Sequence, residues 1–538
     1  MLRYIRIAAA VMFGAVFLFG FLALGANPNS QFAAQIAKTQ LLPAVMAGSG
    51  VILALLIIIA LLFGRVYCSV ICPMGVMMDV IDSVAKLYRK IFKKKKKKIG
   101  YTKSLTTLRY SILGVAIAAI ITNIGIVTNL LDPYSNFGAI VTHLVRPITT
   151  FFNNVAANIL NSMENYSIYA VDNSIISVGA AIFALVVLII ITILVLYRER
   201  IYCNAFCPVG TFWGLLSKVS IFKIVIDKDK CIKCKACSVN CKSNCIDESL
   251  YYVDNSRCVA CFNCLTKCKK DAIHYKLSIG ANCRDPFPEY LESDDTQTVD
   301  STPKSSEKAA TEPAGKVVEG DKSATSRREF ISMIAAGSIM PVMGDLSKKI
   351  RLDKARFPLP PGAGSLTRFQ SKCTGCQLCV TKCPSHLLKP AMFERGISGF
   401  MQPYLDFDVH KFCEFECKVC MEVCPNGALQ DMPLEEKKLT QVGIVHFDIT
   451  NCVVEVNGKH CGACAEHCPT QAVFMSDYKN GLTIPTLNQE ICIGCGACES
   501  ICPVRPNAIY IVGCETQEKA KPFKIEKKEE IEVDDFGF

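Results

Sequence analysis

Cys492-Ile493-Gly494-Cys495-Gly496-Ala497-Cys498-Glu499-Ser500-Ile501-Cys502-Pro503 reads C-x2-C-x2-C-x3-C-P. Three cysteines at this spacing occupy three corners of one [4Fe–4S] cubane. The fourth, turned away by the following proline, serves a neighbouring cluster. The same grammar recurs along the chain. Cys231, Cys234, Cys237 and Cys241 keep it, as do Cys258, Cys261, Cys264 and Cys268 and, further on, Cys373, Cys376, Cys379 and Cys383. Two more runs stretch the first gap: Cys413, Cys417, Cys420 and Cys424, and Cys452, Cys461, Cys464 and Cys468. The insertion in the last of these carries Asn457-Gly458, a pair suited to a hairpin.

The chain holds 31 cysteines in 538 residues. Disulfide frameworks belong to small secreted domains, and structural zinc takes cysteines as two separated pairs. Six four-cysteine runs therefore point to about six [4Fe–4S] clusters. Cluster exchange expects Cys231, Cys234 and Cys237 to share a cluster with Cys268, and Cys258, Cys261 and Cys264 to share one with Cys241. Cys245 competes with Cys241, because Lys242 stands where a proline is expected. The last four runs are open to sequential or nested pairing.

Seven cysteines lie outside the runs: Cys68, Cys72, Cys203, Cys207, Cys245, Cys283 and Cys514. The last three read as bystanders, since a lone cysteine behaves as a small buried hydrophobe. The other four sit in a duplicated segment. Arg65-Val66-Tyr67-Cys68-Ser69-Val70-Ile71-Cys72-Pro73-Met74-Gly75 and Arg200-Ile201-Tyr202-Cys203-Asn204-Ala205-Phe206-Cys207-Pro208-Val209-Gly210 both read R-x-Y-C-x3-C-P-x-G. Their i, i+4 spacing puts each pair on one helical face. The pairs are candidates for a four-thiolate site or a redox dithiol, against duplicated helix-terminating turns.

Four apolar stretches, Tyr4–Leu24, Val45–Phe63, Leu108–Leu131 and Ser174–Tyr197, approach the roughly 20 residues that cross a bilayer. Lys-rich sequence between the second and third, including Lys93 to Lys98, and Arg198 and Arg200 after the fourth, place those segments in the cytoplasm. The net charge of +11 is thus membrane-flanking, and no nucleic-acid partner is expected. The expected fold is an α-helical membrane domain plus α+β ferredoxin-like domains. Residues 1–215 form four transmembrane helices, 216–283 a two-cluster ferredoxin and 351–514 a four-cluster polyferredoxin. Between them, 284–325 has the composition of a disordered linker, and 326–350 carries Ser326-Arg327-Arg328-Glu329-Phe330 ahead of the apolar run Ile331–Met343. Residues 515–538 read as a flexible charged tail.

The duplicated C-x3-C-P spans followed by a two-cluster ferredoxin resemble the membrane ferredoxin of periplasmic nitrate reductase systems (NapH type), with NosR and CcoG as relatives. Ser326–Phe330 resembles a twin-arginine export signal, although here it follows four spans; its other reading is a pair of arginines flanking a short helix. Leu359-Pro360-Pro361-Gly362-Ala363 ahead of four cluster runs is similar to the exported partner ferredoxin (NapG type). The resemblance implies a multi-pass protein of the cytoplasmic membrane, with its first module cytoplasmic and its second outside. It implies electrons drawn from the quinol pool and passed to a terminal reductase or that enzyme's electron-carrier subunit. A redox regulatory or metal-reducing assembly protein using Cys68, Cys72, Cys203 and Cys207 is the alternative, followed by a cytoplasmic ferredoxin complex. No P-loop, dinucleotide-binding G-x-G-x-x-G or G-x-S-x-G accompanies these motifs. The chain therefore reads as an electron-transfer subunit rather than a stand-alone catalyst.

Overall fold

The computed structural model describes residues 1–22, 30–93, 99–122, 124–171, 177–278, 357–392, 394–407 and 409–523. The linker, Ser326–Phe330, Ile331–Met343, Cys283 and most of Lys93 to Lys98 lie outside the described residues.

Among the described residues two helices are long and apolar enough to cross a membrane: α1 (Leu2–Leu22) and, named α6 below, Val178–Tyr197. The other two expected spans are shorter, α2 (Gly50–Phe63) and α4 (Thr106–Ile121). The backbone explains the difference. Gly48 and Gly64 both take positive φ, bounding α2 on either side, and glycine adopts that conformation without steric cost. The third expected span breaks after Ile121, and a separate short helix, Gly125–Leu131, follows. After α2 the chain turns through the first C-x3-C-P segment into α3 (Pro73–Ile91). After α6 it turns through the second into α7 (Pro208–Ser217). Proline at the first helical position suits both starts, because its missing N–H has no partner to lose there.

The described part of the stretch between the third and fourth apolar segments, residues 132–171, is largely helical. Pro133–Ile140 is capped by the Asp132 carboxylate, which accepts from the Tyr134 and Ser135 amides. A π-turn at Val141–Val145 leads into α5 (Arg146–Asn161). This stretch is helical but only moderately apolar, so a search for membrane spans passes over it.

Helices α1, α4 and α6 have a first ferredoxin module at one end and a second at the other, and α2 meets the first module at its C-terminal end. The first module pairs Phe222–Ile226 antiparallel with Ile273–Leu277 and encloses Cys231–Cys268. It meets the helix ends through Arg65 and Arg109, which both donate to the Ser256 carbonyl at 2.8 Å, and through Tyr275, whose hydroxyl donates to the Phe63 carbonyl. At the opposite end, Asn129 donates to the Phe400 carbonyl at 2.8 Å and Arg146 to that of Thr381 at 2.8 Å. Phe183 of α6 packs edge-on against Phe400.

The second module holds three two-stranded antiparallel sheets: Leu388–Pro390 with Pro403–Leu405, Thr440–Phe447 with Ile509–Lys519, and Val473–Asp477 with Thr483–Leu487. Residues 515–519 therefore belong to a strand, not to a tail. The Ala520 amide continues the docking by donating to Leu439. Asn457-Gly458 makes no hairpin: Val453–Asn457 is a short helix that ends on left-handed Gly458, the common glycine stop.

Candidate metal centres

In each regular run the residues two and four places after the first cysteine are left-handed: Lys233 and Lys235, Ala260 and Phe262, Gly375 and Gln377, Gly494 and Gly496. Five of these eight are not glycine, and each such residue is costly unless its surroundings require it. Alternating backbone handedness turns successive N–H groups into a concavity that suits an iron–sulfur site. The loop then enters a short helix bearing the third cysteine, such as Ala236–Val239 or Leu378–Lys382. Backbone amides also reach the fourth sulfurs. Ala272 donates to Cys268 Sγ at 3.2 Å and Leu429 to Cys424 Sγ at 3.4 Å.

The sulfurs fall into quartets drawn from two runs. Cys264 neighbours Cys258, Cys261 and Cys241, as cluster exchange expects. Cys231, Cys237 and Cys268 lie in the one apolar core that also holds Cys241, Cys258 and Cys264, while Cys234 is exposed at its edge of the loop. Cys245 is no bystander: it is fully buried, 3.6 Å from Cys241 Sγ and beside Cys258. In the second module the pairing is sequential. Cys373, Cys376, Cys379 and Cys424 line one cavity, and Cys452, Cys461, Cys464 and Cys502 line another. Cys420 stands with Cys413, Cys417 and Cys383, and Cys498 with Cys492, Cys495 and Cys468. The Cys373 and Cys452 quartets thus border a space rather than a point. Among the described residues, no three Cys, His, Asp or Glu side chains meet at a single-ion position. All cysteines among the described residues are free thiols, Cys514 included. Four thiols around an apolar cavity, with amides aimed at sulfur, fit a [4Fe–4S] cluster.

The quartets are also ordered. The Cys413 amide donates to the Cys495 carbonyl at 2.8 Å, joining the two inner quartets. The quartet of Cys376 faces the helices. A Cβ on Gly138 would lie 2.2 Å from the Cys376 carbonyl oxygen, so only glycine permits this approach.

Cys68, Cys72, Cys203 and Cys207 are all buried in the helical core, and each lies near the others. The arginines that open the two motifs cross over. Arg65 donates to the Cys203 carbonyl at 3.0 Å and Arg200 to the Cys68 carbonyl at 3.2 Å.

Asp79 of α3 gathers three cations: Arg6 at 2.9 Å, Arg200 at 2.5 Å and Lys242 at 2.9 Å. Burial pushes its carboxyl up, but Arg200, Lys242 and Arg6 outweigh burial and hold it well below the usual carboxylate range. Lys242, the residue in place of the expected proline, thus ties the first module to the helices. Asp79 was invisible to motif reading. The two arginines were signalled only by their repetition in the duplicated segment.

Comparison with known proteins finds 4Fe-4S domains in two parts of the chain. A 4Fe-4S binding domain model matches residues 46–98 and 180–226. Models of 4Fe-4S dicluster domains match 372–429, 412–472 and 457–505. The ferredoxin-type protein NapG of Escherichia coli is 31% identical over 206 residues, covering 36% of this chain and 87% of NapG. NapF of the same organism is 29% identical over 145 residues, 27% of this chain and 79% of NapF. The methylamine utilization ferredoxin-type protein MauM of Methylobacillus flagellatus is 30% identical over 163 residues, 28% of this chain and 67% of MauM. No solved structure matches. With its dicluster domains and its coverage of NapG, the chain belongs to the NapG-type family of iron–sulfur ferredoxins, whose work is electron transfer.

Proposed function

We propose that this protein is a multi-pass membrane electron carrier that takes electrons from quinol and delivers them to a partner terminal reductase. Its 24 run cysteines would hold six [4Fe–4S] clusters. The observation that carries this reading is the attachment of two ferredoxin modules to opposite ends of the same helices. The positive-inside rule assigns the end bearing the first module to the cytoplasm, which leaves the second module outside. Helix α4, though short, runs between the same two ends as α1 and α6, and α2 packs into the same apolar core; for that reason we count both as spans.

Bound clusters would supply one-electron carriage without proton chemistry. The protein's own residues do the rest. The sequential quartets set the order of transfer, from Cys376 at the helices to the Cys452 quartet at the far end. Apolar residues such as Phe369 and Leu429 exclude water from the first cavity. Lys437, buried, donates to the Phe415 carbonyl at 3.0 Å and to that of Glu414. It thereby shapes the stretched loop at Cys413 and places a positive charge beside that sulfur.

The test is quinol oxidation by the anaerobic protein in vesicles, with an artificial acceptor on the side of the second module. Quinol-dependent reduction of that acceptor is expected. Turnover with a copper salt but none with quinol would refute this reading in favour of a metal-reducing role.

A further inference from the structure

Each segment matched by the 4Fe-4S binding domain model holds only two of the cysteines in question, Cys68 and Cys72 or Cys203 and Cys207. Neither can complete a four-thiolate cage alone. The fold joins them about a pseudo-two-fold axis, and the symmetry reaches individual atoms. A Cβ on Gly75 would lie 2.2 Å from the Cys68 carbonyl oxygen, and one on Gly210 2.3 Å from that of Cys203. Cys72 and Cys207 cap the N-termini of α3 and α7. Gly210 donates its amide to Cys207 Sγ at 3.3 Å, whereas Cys72 makes no side-chain cap hydrogen bond.

Charge separates a cluster from a dithiol. Arg65 is 1% exposed, and its partners are Asn204, the Ser256 and Cys203 carbonyls and, at 3.8 Å, Cys68 Sγ. No carboxylate pairs with it among the described residues. A buried cation without an anion is strongly disfavoured, because its lost hydration is not repaid. A disulfide or a pair of neutral thiols leaves Arg65 uncompensated. A thiolate-ligated iron–sulfur cluster brings negative charge to the place where its guanidinium points.

We infer that Cys68, Cys72, Cys203 and Cys207 jointly hold one further [4Fe–4S] cluster, which links the two ferredoxin modules electrically through the helical domain. This rests on the electron-transfer reading above. One continuous apolar core contains Cys261 of the first module, these four cysteines and Cys376 of the second. Arg200 adjoins Cys261 on one side. On the other, the helix Pro133–Ile140 of that core presses Gly138 against the Cys376 backbone. Held by these four cysteines between the Cys258 and Cys373 quartets, such a cluster would supply one-electron carriage from one module to the other, the donor oxidised as the acceptor is reduced, with no bond made or broken and no proton taken up.

The test uses full-length protein labelled with 57Fe and purified anaerobically. Wild type should hold about 28 iron atoms. The variant Cys68→Ser/Cys72→Ser/Cys203→Ser/Cys207→Ser should lose about four of them and one Mössbauer component, the others unchanged. Arg65→Met, which keeps every thiolate, should lower the midpoint potential of that component alone, because a nearby positive charge favours the reduced cluster. Wild type without clusters would sink the electron-transfer reading itself. Wild type with clusters but no loss in the quadruple serine variant would overturn only the bridging cluster. If that variant misfolds, an Arg65→Met protein with all potentials unchanged would overturn it equally.

Discussion

Replacing Asp79 by Asn should loosen the first ferredoxin module from the helices. The side chain is 19% exposed, and its partners Arg6, Arg200 and Lys242 are 6%, 0% and 9% exposed. Asn has nearly the same volume but no charge, and its amide nitrogen must face a cation. Removing one partner of a buried ion pair costs about 3–5 kcal/mol. The partial exposure of Asp79 puts the expected loss at the lower end, about 3 kcal/mol. If that loss falls on docking, the undocked population rises roughly 100-fold. Hydrogen exchange of the anaerobic protein in detergent reads this directly, at amides around Cys241 and Arg257, with the second module as internal control. A double-mutant cycle sharpens it. Lys242→Met should cost clearly less in the Asp79→Asn background than in wild type, since the pair is already broken. Exchange within threefold of wild type, or additive effects of the two substitutions, would refute the reasoning.

Gly138→Ala should detach the second module from the helices while leaving its clusters in place, because the new Cβ meets backbone that no rotamer can move; the check is electron transfer between modules, with iron content as control. Gly75→Ala and Gly210→Ala should each destabilise the helical core by about 1–3 kcal/mol, the usual cost of overpacking, read as lower thermal midpoints. Lys437→Met should lower the potential of one cluster in the second module, since it removes a positive charge beside Cys413, and a redox titration would show it.

The spacing of the cysteines carried most of this site, because a cubane dictates where its ligands fall along a loop. In the second module it could not say which runs share a cluster, because that depends on strand pairing between Thr440–Phe447 and Ile509–Lys519 and on the contact of Cys413 with Cys495. Three of the eight left-handed positions were legible, as Gly375, Gly494 and Gly496. Lys233, Lys235, Ala260, Phe262 and Gln377 gave no sign, since their conformation is imposed by the loop rather than preferred by the residue. Hydropathy located the apolar helices but missed their ends, because Gly48, Gly64 and the break after Ile121 interrupt helices that composition alone would continue. Lys242 was visible only as a departure from pattern; its carboxylate partner on α3 makes sense of it.

The most direct test of the account is iron and acid-labile sulfide per chain in anaerobically purified protein, with a reductive titration followed by electron paramagnetic resonance. The six runs predict about 24 of each, with about four more of each from the Cys68–Cys207 site, and reducible cluster signals. Protein that carries zinc with negligible iron and sulfide, or gives no cluster signal on reduction, would contradict it.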